Sequence, residues 1–229
     1  MPVISEEGKR ARQRGTGEGA SYKPWILTRE FNSLGTTANI IDWKHGRSVQ
    51  LLSAAEEWYY YVLRWDDNVL DIREQYPLHK ETTKRIARMF GIRHPSGTMT
   101  TDLLVTYPRN KLVAYSVKVS RSDVDYELAS TEDERNRVKR TAEKLFVEKY
   151  YWESLGIEFH LVFKEDLNSI YVDNIRRAVL YYDSASVHDD VSKIKHLIAT
   201  KQIVVDMDKP IDYQALIRQH RELMECKLG

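Results

Sequence analysis

A mixed α/β core is the fold class this sequence predicts, and three observations predict it. Apolar residues recur at helical spacing from Leu51 to Arg64. Two alternating runs, Thr100–Tyr107 and Lys111–Val119, are separated only by the turn-forming Pro108-Arg109-Asn110. A long helical pattern, Glu132–Leu155, stops at Gly156 and is followed by a further strand-like run, Glu158–Phe163.

Taken in order, residues 1–20 are polar and Gly-rich, with Lys9, Arg10, Arg12 and Arg14 among glutamates, and are expected to form a flexible or short helical arm. Tyr22–Arg47 mixes aromatics with turn formers, which suggests short strands at Phe31–Leu34 and Ala38–Trp43 and a turn at His45-Gly46. In the first helix, Leu51, Leu52, Ala55, Trp58, Tyr59, Val62 and Leu63 make the apolar stripe. Glu56 falls at the edge of that stripe, and if the helix begins after Ser53 the pair has the spacing of a capping box. Asn68–Pro77 reads as a strand closed by proline, and Thr82–Gly91 as a short basic helix ended by glycine. In the long helix Val138, Ala142, Leu145, Phe146, Trp152 and Leu155 keep helical spacing, with Lys149 interrupting the stripe.

After Phe163 the character changes. Asn168–Tyr182, Val187–Ala199 and Tyr213–Met224 look helical and Gln202–Val205 looks like a strand, which is compatible with a small winged-helix-like module. The expected organisation is an arm over 1–20, a core domain over 21–165 and a small interaction domain over 166–229.

Composition narrows the function. At 229 residues, 42% hydrophobic and 30% charged, the chain is of ordinary globular make-up. No apolar run approaches the ~20 residues of a membrane span, and no signal-peptide core opens the chain, so a cytoplasmic protein without a membrane partner is expected. The single Cys226 excludes an internal disulfide and a multi-cysteine zinc site, and His45, His79, His160 and His188 show no zinc spacing. Net charge is only +1. A protein that grips DNA strongly by itself usually carries a basic excess, so any nucleic-acid binding here must come from local patches or from a partner.

The chemistry-bearing feature is Asp102 on one run with Ser116 and Lys118 on the next. Side chains alternate along a strand, so Ser116 and Lys118 share a face while Val113, Tyr115, Val117 and Val119 share the other. If the two strands pair antiparallel, an acid and an ammonium project from adjacent strands toward one point. That arrangement suits a metal-dependent phosphodiesterase. The plainer alternatives are a locally capped aspartate, an edge-strand lysine that discourages aggregation, and a glutamate that only caps its helix.

The chain resembles the TnsA endonuclease subunits of heteromeric cut-and-paste transposases, a group that includes CRISPR-associated elements. The resemblance runs through Tyr22-Lys23-Pro24-Trp25, His45-Gly46-Arg47, Leu51-Leu52-Ser53, Glu56, Val69-Leu70-Asp71-Ile72-Arg73-Glu74-Gln75-Tyr76-Pro77, Thr101-Asp102-Leu103-Leu104-Val105, Val117-Lys118 and Tyr151-Trp152, nearly all of 21–163. It implies a restriction-endonuclease-like mixed sheet flanked by helices. It also implies a catalytic Glu56, Asp102 and Lys118, with Mg²⁺ (for which Mn²⁺ can substitute) held by Glu56, Asp102, Ser116 and the Val117 carbonyl. The activity implied is cleavage at the 5′ ends of a transposon. The partners implied are double-stranded DNA at transposon ends, a DDE-type (TnsB-like) transposase subunit and an AAA+ (TnsC-like) regulator, met at the bacterial nucleoid.

One position departs from the pattern of this fold: Ser116 stands where a Glu or Gln is usual, and a hydroxyl is a shorter and poorer oxygen ligand. Arg73, Lys84, Arg85, Arg88 and Arg93 are the candidate DNA contacts, with an Arg73–Glu74 ion pair as the plainer reading of the first. Arg135, Arg137, Lys139, Arg140 and Lys144 interleave with Glu132, Asp133, Glu134 and Glu143, which reads as a solvated, internally paired face. Two other functions stay open: a stand-alone nuclease in repair or restriction, and a catalytically weak architectural subunit.

Overall fold

The computed structural model describes residues 4–30 and 37–228, with side chains described through Glu225; the strand expected at Phe31–Leu34 lies outside the described residues. The chain divides into two units, Met1–Asp166 and Leu167–Gly229.

The first unit opens with helix α1 (Glu6–Ala11). It is fastened to the body: Glu6 accepts from the Lys80 ammonium (2.9 Å) and the Thr98 amide (2.7 Å), and Arg14 clasps the Glu30 carboxylate. A short antiparallel pair follows, β1 (Ala38–Ile41) with β2 (Ser48–Leu51). Strand β2 takes Leu51 out of the expected helix, so α2 runs Ala54–Trp65 with Ser53 as its cap. Then come β3 (Asp71–Pro77), α3 (Lys80–Met89), β4 (Thr100–Tyr107), β5 (Lys111–Lys118), α4 (Glu132–Ser154) and β6 (Glu158–Phe163).

The main sheet has the order β3-β4-β5-β6. Its first two pairings are antiparallel, with Leu103 opposite Tyr115, while β5 and β6 are parallel, with Ser116 opposite Leu161. A parallel neighbour needs a long crossover, and α4 supplies it. The sheet is the middle of three layers. On one face Ile72, Leu103, Val105, Val113, Tyr115 and Val117 pack against Ala55, Tyr60 and Leu63 of α2. On the other, Leu104 and Ala114 pack against Ile86 and Ala87 of α3 and Val147, Tyr151 and Trp152 of α4. The period of two therefore sends Asp102, Ser116 and Lys118 toward the α4 side.

Several expectations are corrected. The buried face of α4 is Val138, Leu145, Val147, Glu148, Tyr151 and Trp152, whereas Phe146 and Leu155 are exposed. Lys149 interrupts nothing; the ionisable residue inside the stripe is Glu148. Arg73 and Glu74 do not pair, because neighbours on a strand point to opposite faces. Glu74 is instead clasped by Arg47 (2.8 and 2.6 Å).

The second unit is helical: α5 (Ser169–Val179), α6 (Asp190–Ala199), α7 (Tyr213–Gln219) and α8 (Arg221–Leu228), around a core that includes Val172, Ile175, Ile194, Leu197 and Ile198. The strand expected at Gln202–Val205 does not form. Lys201 turns into the left-handed region (φ 57°), and the amides of Gln202 and Ile203 fold back onto the Leu197 carbonyl, closing α6. With no strand among its described residues, the unit lacks the hairpin that would make a wing.

Candidate active site

Three sequence-predicted groups come together at a cavity of about 600 Å³ in the first unit, with Leu52, Ser53, Glu56, Gln75, Thr100, Asp102, Ser116, Val117, Lys118 and Glu148 among its lining residues. Asp102 sits near the start of β4 and Lys118 at the end of β5, which the short Pro108 turn places side by side. Asp102 Oδ2 accepts from the Val117 amide (2.8 Å) and the Ser116 hydroxyl (3.1 Å) and stands 3.5 Å from the Lys118 ammonium. Lys118 Nζ also donates to the Val117 carbonyl (2.9 Å) and to Ser116 Oγ (3.1 Å). Burial alone would push the Lys118 ammonium down, but Asp102 first, then Glu148 and Glu56, outweigh it and hold the pKa above its usual value.

Glu56 enters from the first turn of α2, where it does serve as a capping residue. Its amide donates to Ser53 Oγ (3.1 Å), and its carboxylate accepts from the Leu52 amide (2.9 Å) and the Ser53 hydroxyl (3.0 Å). The capping and site readings of Glu56 are thus compatible: the cap fixes the rotamer, and the carboxyl group faces the cavity.

Two residues escape the sequence reading. Gln75 lies in β3 with φ 48°, a left-handed conformation that costs a non-glycine residue about 1–2 kcal/mol. It is buried, and its amide joins Glu56 Oε2 (3.1 Å) to the Thr100 hydroxyl (3.1 Å). Glu148 is the other. It is 5% exposed on the inner face of α4, and its Oε1 has no hydrogen-bond partner. A glutamate between Leu145 and Trp152 on an apolar stripe was the available signal.

Burial, then the Asp102 charge, push both Glu56 and Glu148 up to about 8; Lys118 pulls each back, as do the Leu52 amide for Glu56 and Thr101 for Glu148. In metal-free protein these carboxyls hold protons that the unfolded chain, at the ordinary value of 4.5, has released. Their raised values therefore contribute stability that is complete below the unfolded pKa and lost as pH rises through about 8. Thermal melts of the metal-free protein should show the melting temperature falling across that interval, and Glu148→Gln should flatten the fall. An unchanged slope in the variant would contradict this electrostatic picture.

The oxygen set fits a hard cation. Asp102, Ser116 Oγ and the Val117 carbonyl already surround an ammonium, and burial with the Asp102 charge keeps the inner carboxyls protonated. Among the described residues no three His, Cys, Asp or Glu side chains form a closed chelate. Mg²⁺ does not need one, since it commonly takes one or two carboxylates and completes its shell with water and substrate phosphate.

The candidate DNA contacts lie elsewhere. Arg73 is buried, 3.7 Å from Asp71, and donates to Thr106 Oγ1 (3.1 Å), while Lys84 pairs with Glu81 (2.9 Å). Arg85, Arg88 and Arg93 are exposed, and none of the five lines the cavity. The cations that do line it, besides Lys118, are Arg137 and Lys144 of α4.

A mixed four-stranded sheet between helix layers, with an aspartate and a lysine on adjacent strands, defines the restriction-endonuclease-like class. The comparisons with known proteins make it specific. The model of the TnsA-like endonuclease N-terminal domain matches residues 66–164. Transposon Tn7 transposition protein TnsA of Escherichia coli is 31% identical over 224 residues, spanning 93% of this chain and 78% of that protein. The chain belongs to the TnsA family of transposition endonucleases.

Proposed function

We propose that this chain is the Mg²⁺-dependent endonuclease subunit of a transposase and cuts the 5′ ends of its transposon. The observation that carries the reading is the convergence of Glu56, Asp102 and Lys118 on one cavity in a TnsA-family chain. Glu56, Asp102, Ser116 Oγ and the Val117 carbonyl would hold the ion, with Glu148 supplying the carboxylate that Ser116 lacks. When bound, Mg²⁺ or Mn²⁺ polarises the scissile phosphate and makes its coordinated water more acidic.

The protein's own groups do the remainder. Lys118, kept charged by Asp102 and Glu148, donates to a non-bridging phosphate oxygen as negative charge builds there. Gln75 and the α2 cap hold Glu56 in place. The water oxygen bonds to phosphorus as the bond to the 3′ oxygen breaks, leaving a 5′-phosphate and a 3′-hydroxyl.

A net charge of +1 supports delivery of the duplex end by a DNA-binding, DDE-type TnsB-like subunit rather than unaided capture. That balance weighs against the stand-alone nuclease. A TnsC-like AAA+ regulator is the second partner, with the C-terminal unit as its docking module, and the work is done at the bacterial nucleoid. Exposed Arg85, Arg88 and Arg93 are available to phosphates farther from the cut. No helix among the described residues is long and apolar enough to cross a membrane.

The test is a strand-resolved cleavage assay on transposon-end DNA, in the presence of the partner transposase, comparing wild type with Asp102→Ala. Loss of only the 5′-strand cut supports the reading. An unchanged cut would favour the architectural alternative.

A further inference from the structure

We propose that one face of α4 is a phosphate track that carries the DNA backbone into the cavity, with Arg137 and Lys144 as its two contacts. Arg137, Thr141, Lys144 and Glu148 follow one another by four, three and four residues. They therefore form a single stripe along the helix, and all four line the cavity. The stripe begins at exposed Arg137 and ends at buried Glu148, beside Lys118.

Lining the cavity separates this stripe from the rest of the helix, and the other arginines of that segment are engaged elsewhere. Arg135 lies over the Tyr126 ring and donates to the Ala129 carbonyl, and Arg140 donates to Glu143 (3.0 Å) and to the Arg93 carbonyl. Glu134 caps the helix by accepting from the Ser130 and Thr131 amides (2.9 and 3.2 Å). Asp123, an acid on the cavity wall, accepts from the Val119 and Ser120 amides (3.0 and 3.3 Å). Thr141 donates to the Arg137 carbonyl (3.0 Å), so it is a small spacer rather than a contact. Arg137 and Lys144 make no ion pair or side-chain hydrogen bond among the described residues.

Of the interleaved acids, Glu143 is taken by Arg140, and Glu134, held below the usual carboxylate value first by the Ser130 and Thr131 amides, feels the Arg137 charge without an ion pair to it. Ile26, Leu52, Pro95, Gly97, Thr98 and Met99 of the wall carry no charge, so apart from Lys118 the cations that line the cavity are both on α4. Seven residues of helix set Arg137 and Lys144 about 10 Å apart, roughly three nucleotide rises along one strand. The ligand class is the sugar–phosphate backbone flanking the cut, bound without regard to sequence.

The inference deepens the nuclease reading but is tested without cleavage. Full-length protein in EDTA is titrated with a short fluorescent duplex of arbitrary sequence across a salt series, and log Kd is plotted against log salt. Each of Arg137→Gln and Lys144→Gln should reduce the slope by about 1, and the double variant by about 2. Lys139→Gln, the same charge change on an exposed residue that does not line the cavity, should leave the slope alone. Equal effects from Lys139→Gln, an unchanged slope in the double variant, or no salt-dependent binding by wild type would each overturn the track. A protein that binds through Lys144 but never cuts would instead sink the nuclease reading alone.

Discussion

Asp102→Ala should reduce cleavage of the 5′-ended strand by roughly 10³-fold or more, in the range seen when a group essential to transition-state charge stabilisation is removed. The residue has two duties in the geometry. Its Oδ2 fixes the end of β5 through the Val117 amide and the Ser116 hydroxyl, and its charge is the first reason that Lys118 stays protonated. It is also the carboxylate nearest that ammonium, and the proposed function makes it a ligand of the ion. Loss of these two acceptor contacts costs about 2 kcal/mol, too little to unfold the unit. Asp102→Asn, which preserves those two acceptor contacts, should be as inactive as Asp102→Ala. In complete transposition reactions the uncut 5′ strands should shift products from simple insertions to cointegrates, read by restriction mapping. Simple insertions at wild-type yield would contradict the assignment.

The largest stability effect is expected at Arg64, far from the cavity in role. It is fully buried in α2, donating from Nε to Asp42 Oδ1 (2.9 Å) and meeting His45 Nδ1 (3.0 Å) and the Leu70 carbonyl (3.4 Å). Asp42 is itself fully buried, and Oδ2 lacks a hydrogen bond. Arg64→Met would strip that buried carboxylate of its guanidinium partner, leaving it the Lys44 and His45 amides and the His45 ring, and should cost about 3–5 kcal/mol in urea unfolding. Burial pushes Asp42 up, but Arg64, the Lys44 amide and Tyr60 together hold it below the ordinary 3.8. A depressed value contributes stability above the unfolded pKa that disappears as pH falls through the folded one, so the deficit of the variant should shrink in acid. Asp42→Asn in the same chain should recover part of the loss. A cost under about 1 kcal/mol would show that the pair is not what holds α2 to the turn after β1.

How far the sequence could be read follows from which signals are local. Alternation along β4 and β5 and the short turn between them were enough to bring Asp102 and Lys118 together. The Ser53–Glu56 spacing placed α2 correctly even though β2 takes Leu51. What escaped depends on contacts between distant segments. Gln75 stands inside a string already noticed, but nothing local announces a left-handed glutamine in a strand. Glu148 and Lys149 are adjacent, and only the true phase of α4, set by Trp152 against the sheet, decides which is buried. The acids among the α4 cations suggested mutual pairing, yet capping and the Arg140 contacts leave Arg137 and Lys144 facing the cavity. Gln202–Val205 has strand composition but no partner strand among the described residues to pair with.

The most direct measurement follows both strands of a transposon end, labelled separately, with this chain and its partner transposase, in Mg²⁺ and in EDTA. The expected result is a 5′-strand nick that requires the ion together with Asp102 and Lys118, and that reappears when Mn²⁺ replaces Mg²⁺. A 5′-strand nick that persists in EDTA, or that Asp102→Ala and Lys118→Ala make as well as wild type, would contradict a cation-dependent cut at this cavity.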